Sequence, residues 1–253
     1  MNEAYNRDCL EAMKEYPDGF FDLCVADPPY GIKITSRHRE RERESKLVGG
    51  DGRPFGGMRK LRQWQAPDNG GVGKGARSSK KLKVESKFYP VFDDSSPPDE
   101  GTFRELQRVS KKLIIWGGNY FLDYLGRATC MIVWDKKRRG MSQADCEIAW
   151  TNLPGQSRIF EWRWNGMLQQ DMKHKEKRIH ATQKPVALYK YLFSTYCKEG
   201  DRILDPYLGS GSSRIAAYDL GYDFVGYEIE KVYFDLQEKR FAEHTGQTSL
   251  FTD

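Results

Sequence analysis

Apolar and polar positions fall into short blocks along this chain. "FFDLCVAD", Phe20 to Asp27, is an almost unbroken apolar run of strand length that ends on an acid. Such a run reads as a strand buried on both faces. "KKLIIWGGNYF" (111–121), "CMIVWDK" (130–136), "CEIAWTN" (146–152), "DRILD" (201–205) and "DFVGYEIE" (223–230) read as further strands. Between them lie helical spacings. "DCLEAMKEY" (8–16) is capped by Asp8, and "TFRELQRVS" (102–110), "KPVALYKYLFSTYC" (184–197), "RIAAYDLG" (214–221) and "KVYFDLQEKRFAEH" (231–244) follow. Strands alternating with helices predict an α/β fold with a mostly parallel, doubly wound sheet.

Two stretches break the rhythm. Residues 33–87 hold "RHRERERESK", "GGDGRPFGG" and "GGVGKGARSSKK", a composition that builds no core and predicts a long flexible loop. Residues 154–180 are irregular, basic and rich in tryptophan, and include "RIFEWRWNGM".

Charge separates the first stretch from the rest. Lys33 to Lys87 carries 16 Lys or Arg against 6 Asp or Glu, whereas the remainder carries 25 against 30. A basic segment joined to a mildly acidic body points to a polyanionic partner, with a solvated insertion as the competing reading. Arg37, Arg39, Arg41 and Arg43 alternate with glutamates, so a self-paired helix competes with phosphate binding there. Lys80, Lys81 and Lys83 are less neutralised and are the better phosphate contacts. In "RIFEWRWNGM", Trp162 and Trp164 suit either a groove or the core.

The five cysteines form no CxxC, so neither a disulfide framework nor a metal site is expected. No apolar run is long enough to span a membrane, and the first residues lack a secretion-signal pattern.

The candidate chemistry falls in two places. "ILDPYLGSGSS" sets Gly209 and Gly211 between a strand and a helix, where backbone can approach a ligand closely. Glu228 ends the next strand, 23 positions after Asp205, and a carboxylate there can accept from both hydroxyls of a ribose. Arg214 stands where a dinucleotide fingerprint has its third glycine, which favours a compact nucleoside cofactor such as S-adenosylmethionine over a pyrophosphate. The Asp205 carboxylate complements that cofactor's cationic portion.

The other place is Asp27-Pro28-Pro29-Tyr30, at the carboxyl end of a strand. Pro29 pushes Pro28 toward an extended shape, and neither proline has an N–H. The turn therefore offers acceptors only, the Asp27 carboxylate and the Pro28 carbonyl. Two acceptors match an exocyclic amine with two N–H donors, and Tyr30 adds a flat face for a base.

In this order, DPPY first and the glycine block last, the chain resembles the β-class DNA amino-methyltransferases. "RDCLEAM", "IIWGGNYF", "IVWDKKRRG" and "HATQKP" resemble further family segments. Ala181, Tyr207 and Ser212 stand where the family commonly has proline, phenylalanine and threonine. The resemblance covers about 1–32 and 100–240. It implies one catalytic domain over 1–253 with a Rossmann-like, circularly permuted methyltransferase fold that includes an antiparallel strand. It implies S-adenosylmethionine as cofactor, held by Asp8, Cys9, His180, Thr182, Gln183, Lys184, Pro185, Asp205, Pro206, Gly209, Ser210, Gly211 and Glu228, with no metal.

The family's target-recognition region lies between the "IVWDK" and "TQKP" segments, here only the short stretch 154–180, so recognition is expected to be shared with a basic insert at 33–90. Arg138, Arg139 and Arg163 join the expected DNA contacts. The implied partner is double-stranded DNA. The enzyme is expected in a bacterial or phage-infected cytoplasm, beside a restriction endonuclease or alone, with a dimer open. Methylation of adenine N6 is favoured over cytosine N4, because family enzymes acting on cytosine usually have serine in place of Asp27. Cytosine C5 is set aside, since no Pro-Cys nucleophile exists. A nucleotide-linked dehydrogenase and a DNA-binding module without activity are the other classes weighed.

Overall fold

The computed structural model describes residues 1–32, 89–90, 94–140, 144–165 and 168–249. The basic stretch 33–87, with Arg37, Arg39, Arg41, Arg43, Lys80, Lys81 and Lys83, lies outside the described residues.

Eight strands make one sheet. In chain order they are β1 (Asn2–Tyr5), β2 (Phe21–Ala26), β3 (Ser110–Trp116), β4 (Met131–Asp135), β5 (Cys146–Thr151), β6 (Arg158–Glu161), then β9 (Arg202–Asp205) and β10 (Asp223–Tyr227). Between the two groups, β7 (Trp164–Asn165) and β8 (Leu168–Gln169) pair only with each other, antiparallel. The sheet order is β1-β10-β9-β2-β3-β5-β4-β6. Only β5 runs against the others, being antiparallel to both β3 and β4. This is the mostly parallel sheet that the alternation of strands and helices predicts, with the antiparallel strand that the resemblance implies.

The apolar runs become central strands because both of their faces are covered. Leu23, Val25, Ile114, Trp116 and Ile203 pack on one face with Leu188 and Leu192 of helix α4 (Val186–Tyr196) and Ala216 and Ala217 of α5 (Ser212–Leu220). Cys24, Ala26, Leu113, Ile115 and Leu204 face the other way. There they meet Ala12 and Met13 of α1 (Cys9–Met13) and Phe103, Leu106 and Val109 of α2 (Glu100–Val109). Each large apolar side chain so buried is worth roughly 1.5–3 kcal/mol. The cap expected at Asp8 is present, accepting from Glu11 N at 3.0 Å, and Asp99 caps α2 by accepting from Thr102 N at 2.9 Å.

Three features escape the hydrophobic pattern. β1 is polar and short, and it forms by parallel pairing with β10 from Asn2↔Phe224 to Tyr5↔Tyr227. The stretch 154–180, expected to be irregular, contains β6, β7 and β8. β6 exists because β4 templates it, Ile132↔Arg158 to Asp135↔Glu161. Trp164 belongs to the core and donates to Gln183 O at 2.8 Å, which decides its role in favour of packing. The last helix, α6, spans Lys231–Ser249; the short α3 is Leu122–Leu125.

β2 and β9 are neighbours, Leu23↔Ile203 and Cys24↔Leu204. From β2 the chain goes through α2 to β3 on one side; from β9 it goes through α5 to β10 on the other. The sheet therefore has its topological switch between these two strands, and open α/β sheets bind ligands at the carboxyl ends there.

Candidate active site

Asp27 leaves the end of β2 and Asp205 is the last residue of β9, so the two chemically marked segments meet at the switch. The four residues Asp27–Tyr30 have no regular structure. Tyr30 Oη donates to Asp27 Oδ1 at 2.7 Å, and the Lys184 ammonium pairs with Asp27 Oδ2. Both carboxylate oxygens are thereby held in place.

The Tyr30 ring is wedged. It stacks on Tyr120, with centroids 5.1 Å apart and planes 20° apart, and meets the edge of Phe121 at 6.1 Å. Behind it is Gly117, at φ +66°, so close that a Cβ there would lie 2.3 Å from Tyr30 Cε1. The "WGG" turn after β3 thus makes room for the tyrosine. Tyr120 is about half exposed (53%) beside it.

Lys184 is also 3.2 Å from Glu147 Oε2, and Lys136 pairs with Glu147 Oε1. Asp27, Lys184, Glu147 and Lys136 form a chain of alternating sign. Burial opposes the charge on Glu147, but Lys184 and Lys136 outweigh it and hold the carboxyl down to about 2. Burial likewise opposes the Lys184 charge, but Asp27 and Glu147 more than compensate and raise it above an ordinary lysine. The Lys184 ammonium also lies 5.5 Å from the centre of the Trp116 ring, within cation–π range.

The glycine block follows β9. Gly209 N donates to Glu228 Oε2 at 2.8 Å, and Glu230 N to Glu228 Oε1 at 2.9 Å. Gly209 and Gly211 have φ of +50° and +71°. Asp205 is 1% exposed and braces the same turn, accepting from Tyr207 N at 3.0 Å and from Ser213 Oγ. Burial pushes its carboxyl up to about 7, against those hydrogen bonds and with help from the nearby Asp27 and Glu228 charges. Pro206 is buried in the turn. Arg240 donates to Ser210 O at 2.8 Å and Ser212 Oγ at 2.9 Å, and pairs with Glu176 at 2.7 Å. Arg214, in the place of a third glycine, instead ties α5 to α6 through Glu238 at 2.6 Å and to β1 through Asn2 at 3.0 Å.

Residues 133–239 match the sequence model of a family described as DNA methylase. The Type II methyltransferase M2.DpnII of Streptococcus pneumoniae is 40% identical over 157 residues, which cover 62% of this chain and 58% of that protein. M.HinfI, a Type II methyltransferase of Haemophilus influenzae, is 26% identical over 269 residues, 96% of this chain and 69% of that one. Part of the chain is thus similar in sequence to DNA methylases. The chain shares its fold with TTHA0409 of Thermus thermophilus (TM-score 0.52, 16% identity, 96% of each chain). It also shares it with the cytosine-N4-specific PvuII DNA methyltransferase (TM-score 0.51, 10% identity, 97% of this chain and 91% of that one).

TTHA0409 has also been solved complexed with S-adenosyl-L-methionine, and this chain has residues that would fit that molecule. A carboxylate offers about four acceptor positions, and the two backbone donors at Glu228 leave the others for ribose hydroxyls. Glu228 lies against the glycine turn. Asp8 caps α1, which occupies its Oδ1, and Cys9 beside it is a buried thiol pushed up to about 12 by burial and by Asp8.

The "HATQKP" residues divide. Burial, with Lys184 and Arg178, holds His180 down to about 3, so it is neutral; its Nδ1 lies 3.0 Å from Thr182 Oγ1, and its ring packs on Tyr233. Gln183 is buried and accepts from Ile179 N at 2.9 Å, and Pro185 begins α4. Lys184 alone points to Asp27. Of the expected DNA contacts, Arg138 donates to Ala144 O at 2.8 Å, Arg139 pairs with Asp135 at 2.7 Å, and Arg163 is exposed beside the β7–β8 hairpin. Sequence reasoning missed Glu147, Lys136, Tyr120 and Gly117. A lone glutamate inside the apolar run "CEIAW" was the one available signal for Glu147.

Proposed function

We propose that the protein transfers a methyl group from S-adenosylmethionine to the exocyclic N6 of adenine in double-stranded DNA. The observation that carries this is the Asp27 carboxylate at the carboxyl end of β2, adjoining the glycine turn of β9 at the sheet's switch point.

Asp205, Gly209, Ser210, Gly211 and Glu228 would hold the cofactor, which when bound supplies an electrophilic methyl on a cationic sulfur. An adenine inside a duplex hides its amine, so the base is turned out of the helix into the pocket. The amine is a weak nucleophile because its lone pair is delocalised into the ring. Asp27 and the Pro28 carbonyl accept its two hydrogens and localise that pair on nitrogen. As positive charge develops there, the Asp27 carboxylate stabilises it. Tyr30, fixed by Tyr120, Gly117 and Asp27, forms a rigid aromatic wall for the base. DNA contacts are assigned to the basic segment 33–90 and to 154–180, including Arg163.

The competing reading is cytosine N4, whose amine needs the same two acceptors and which is the target named for the PvuII enzyme. The aspartate in Asp27-Pro28-Pro29-Tyr30 favours adenine. Mass spectrometry of nucleosides from duplex DNA treated with the protein and labelled cofactor tests this. N6-methyladenine is expected, and N4-methylcytosine alone overturns the base assignment. Asp27→Ala should abolish methylation with cofactor binding retained; methylation near wild-type rates in that variant would sink the mechanism.

A further inference from the structure

We propose that Lys184 is a positioning residue for Asp27 and that Glu147 tunes it, so that the carboxylate is aimed while its charge stays available to the amine. The inference rests on the reading of Asp27 as the group that receives the amine.

Four elements bring the groups together: the turn after β2 carries Asp27, the residue before α4's cap carries Lys184, β5 carries Glu147, and the residue after β4 is Lys136. Their order is Asp27, Lys184, Glu147, Lys136, minus to plus to minus to plus. Lys184 is 3% exposed, so water does little to screen it. Its ammonium meets two carboxylates and the face of Trp116, which restricts it to one position. Held from that side by Lys184 and from the other by the Tyr30 hydroxyl, Asp27 has little freedom to rotate.

Charge creates a conflict that Glu147 resolves. A cation against Asp27 repels the positive charge that develops on the amine nitrogen. A second carboxylate on the far side of the same cation offsets that repulsion. Lys136 in turn keeps Glu147 ionised against its burial. A proton relay through the chain does not fit, because Glu147 is held far too acidic to receive a proton from Lys184. The arrangement therefore acts through orientation and field. Removing Lys184 leaves Asp27 and Glu147 facing each other. Removing the Glu147 charge alone leaves Asp27 as the one carboxylate facing Lys184, so the ammonium's positive field reaches the amine. Removing both restores the balance of charge, at the cost of orientation and of the carboxylate that pairs with Lys136.

Single-turnover methylation of duplex DNA at saturating S-adenosylmethionine tests this, with cofactor affinity and thermal melting measured on every variant. Lys184→Met is expected to slow methyl transfer by about 100-fold, the scale of losing alignment by an ångström, with cofactor affinity within about threefold of wild type. Lys184→Arg should recover part of the rate. Glu147→Gln should slow transfer at least tenfold. The double variant should be faster than Lys184→Met alone, a coupling that simple loss of structure does not produce. Lys184→Met within threefold of wild type overturns the inference, as does a double variant with additive losses. If Lys184→Met fails to fold, Lys184→Arg and Glu147→Gln decide: wild-type rates in both overturn it. A wild-type protein that methylates no DNA would instead remove the reading of Asp27 itself.

Discussion

Gly117→Ala isolates the packing behind Tyr30. Two costs add. At φ +66° and ψ +19°, an alanine pays for left-handed backbone, roughly 1–2 kcal/mol. Its Cβ would also stand 2.3 Å from Tyr30 Cε1, 2.6 Å from Cζ and 2.8 Å from Cδ1. The ring cannot swing aside freely, because its hydroxyl is bound to Asp27 and its face lies on Tyr120. Overpacking of this kind costs roughly 1–3 kcal/mol. The sum, about 2–5 kcal/mol, corresponds to a fall in melting temperature of about 5–15 °C for a domain of this size.

Gly221→Ala provides the control. Gly221 has nearly the same backbone, φ +73° and ψ +25°, but nothing within 4 Å of its would-be Cβ. It should lose only the backbone cost, about 2–6 °C. Relieving the clash moves the Tyr30 ring by about 1 Å, enough to slow methyl transfer by about 100-fold in Gly117→Ala. Gly221→Ala should leave the rate unchanged. Melting by circular dichroism and single-turnover methylation read the two effects separately. A Gly117→Ala protein no less stable than Gly221→Ala, or one that methylates at wild-type rate, refutes the wedge.

Two more outcomes follow from the cofactor half. The Asp205 carboxyl lies at about 7 in the folded protein against 3.8 when unfolded, so the folded state binds the extra proton. Its contribution to stability is present below 3.8 and lost as pH rises through about 7; Asp205→Asn should flatten that part of the melting-temperature profile between about pH 4 and 7. Arg240→Met should cost about 3–5 kcal/mol, because it strands the buried Glu176 carboxylate and frees the Ser210 carbonyl. Glu176→Gln in the same protein should recover part of that loss in a denaturant titration.

The sheet was legible because its central strands are covered on both faces and so must be apolar along their whole length. The sequence also determined the chemistry of each segment. A turn with an acid and no N–H donors accepts hydrogen bonds in any fold, and glycines between a strand and a helix leave backbone open to a ligand. That is why Asp27, Gly209, Gly211 and Glu228 stand out in the sequence by itself. Polar edge strands such as β1 and β6 stayed hidden, since they form by pairing with a partner and carry no period of their own.

Only the tertiary structure decided which residues act on one another. Lys184 comes from the segment read as cofactor-binding, yet it pairs with Asp27, 157 positions earlier. Glu147 lies on the antiparallel strand of the eight-stranded sheet, and nothing local in "CEIAW" says that two lysines await it. Charges interact through space and strands fix that space, so the alternating row from Asp27 to Lys136 is a property of strand order. The turn after β2 is held from one side by this row and from the other by Tyr30, a tyrosine that fits only because Gly117 has no side chain.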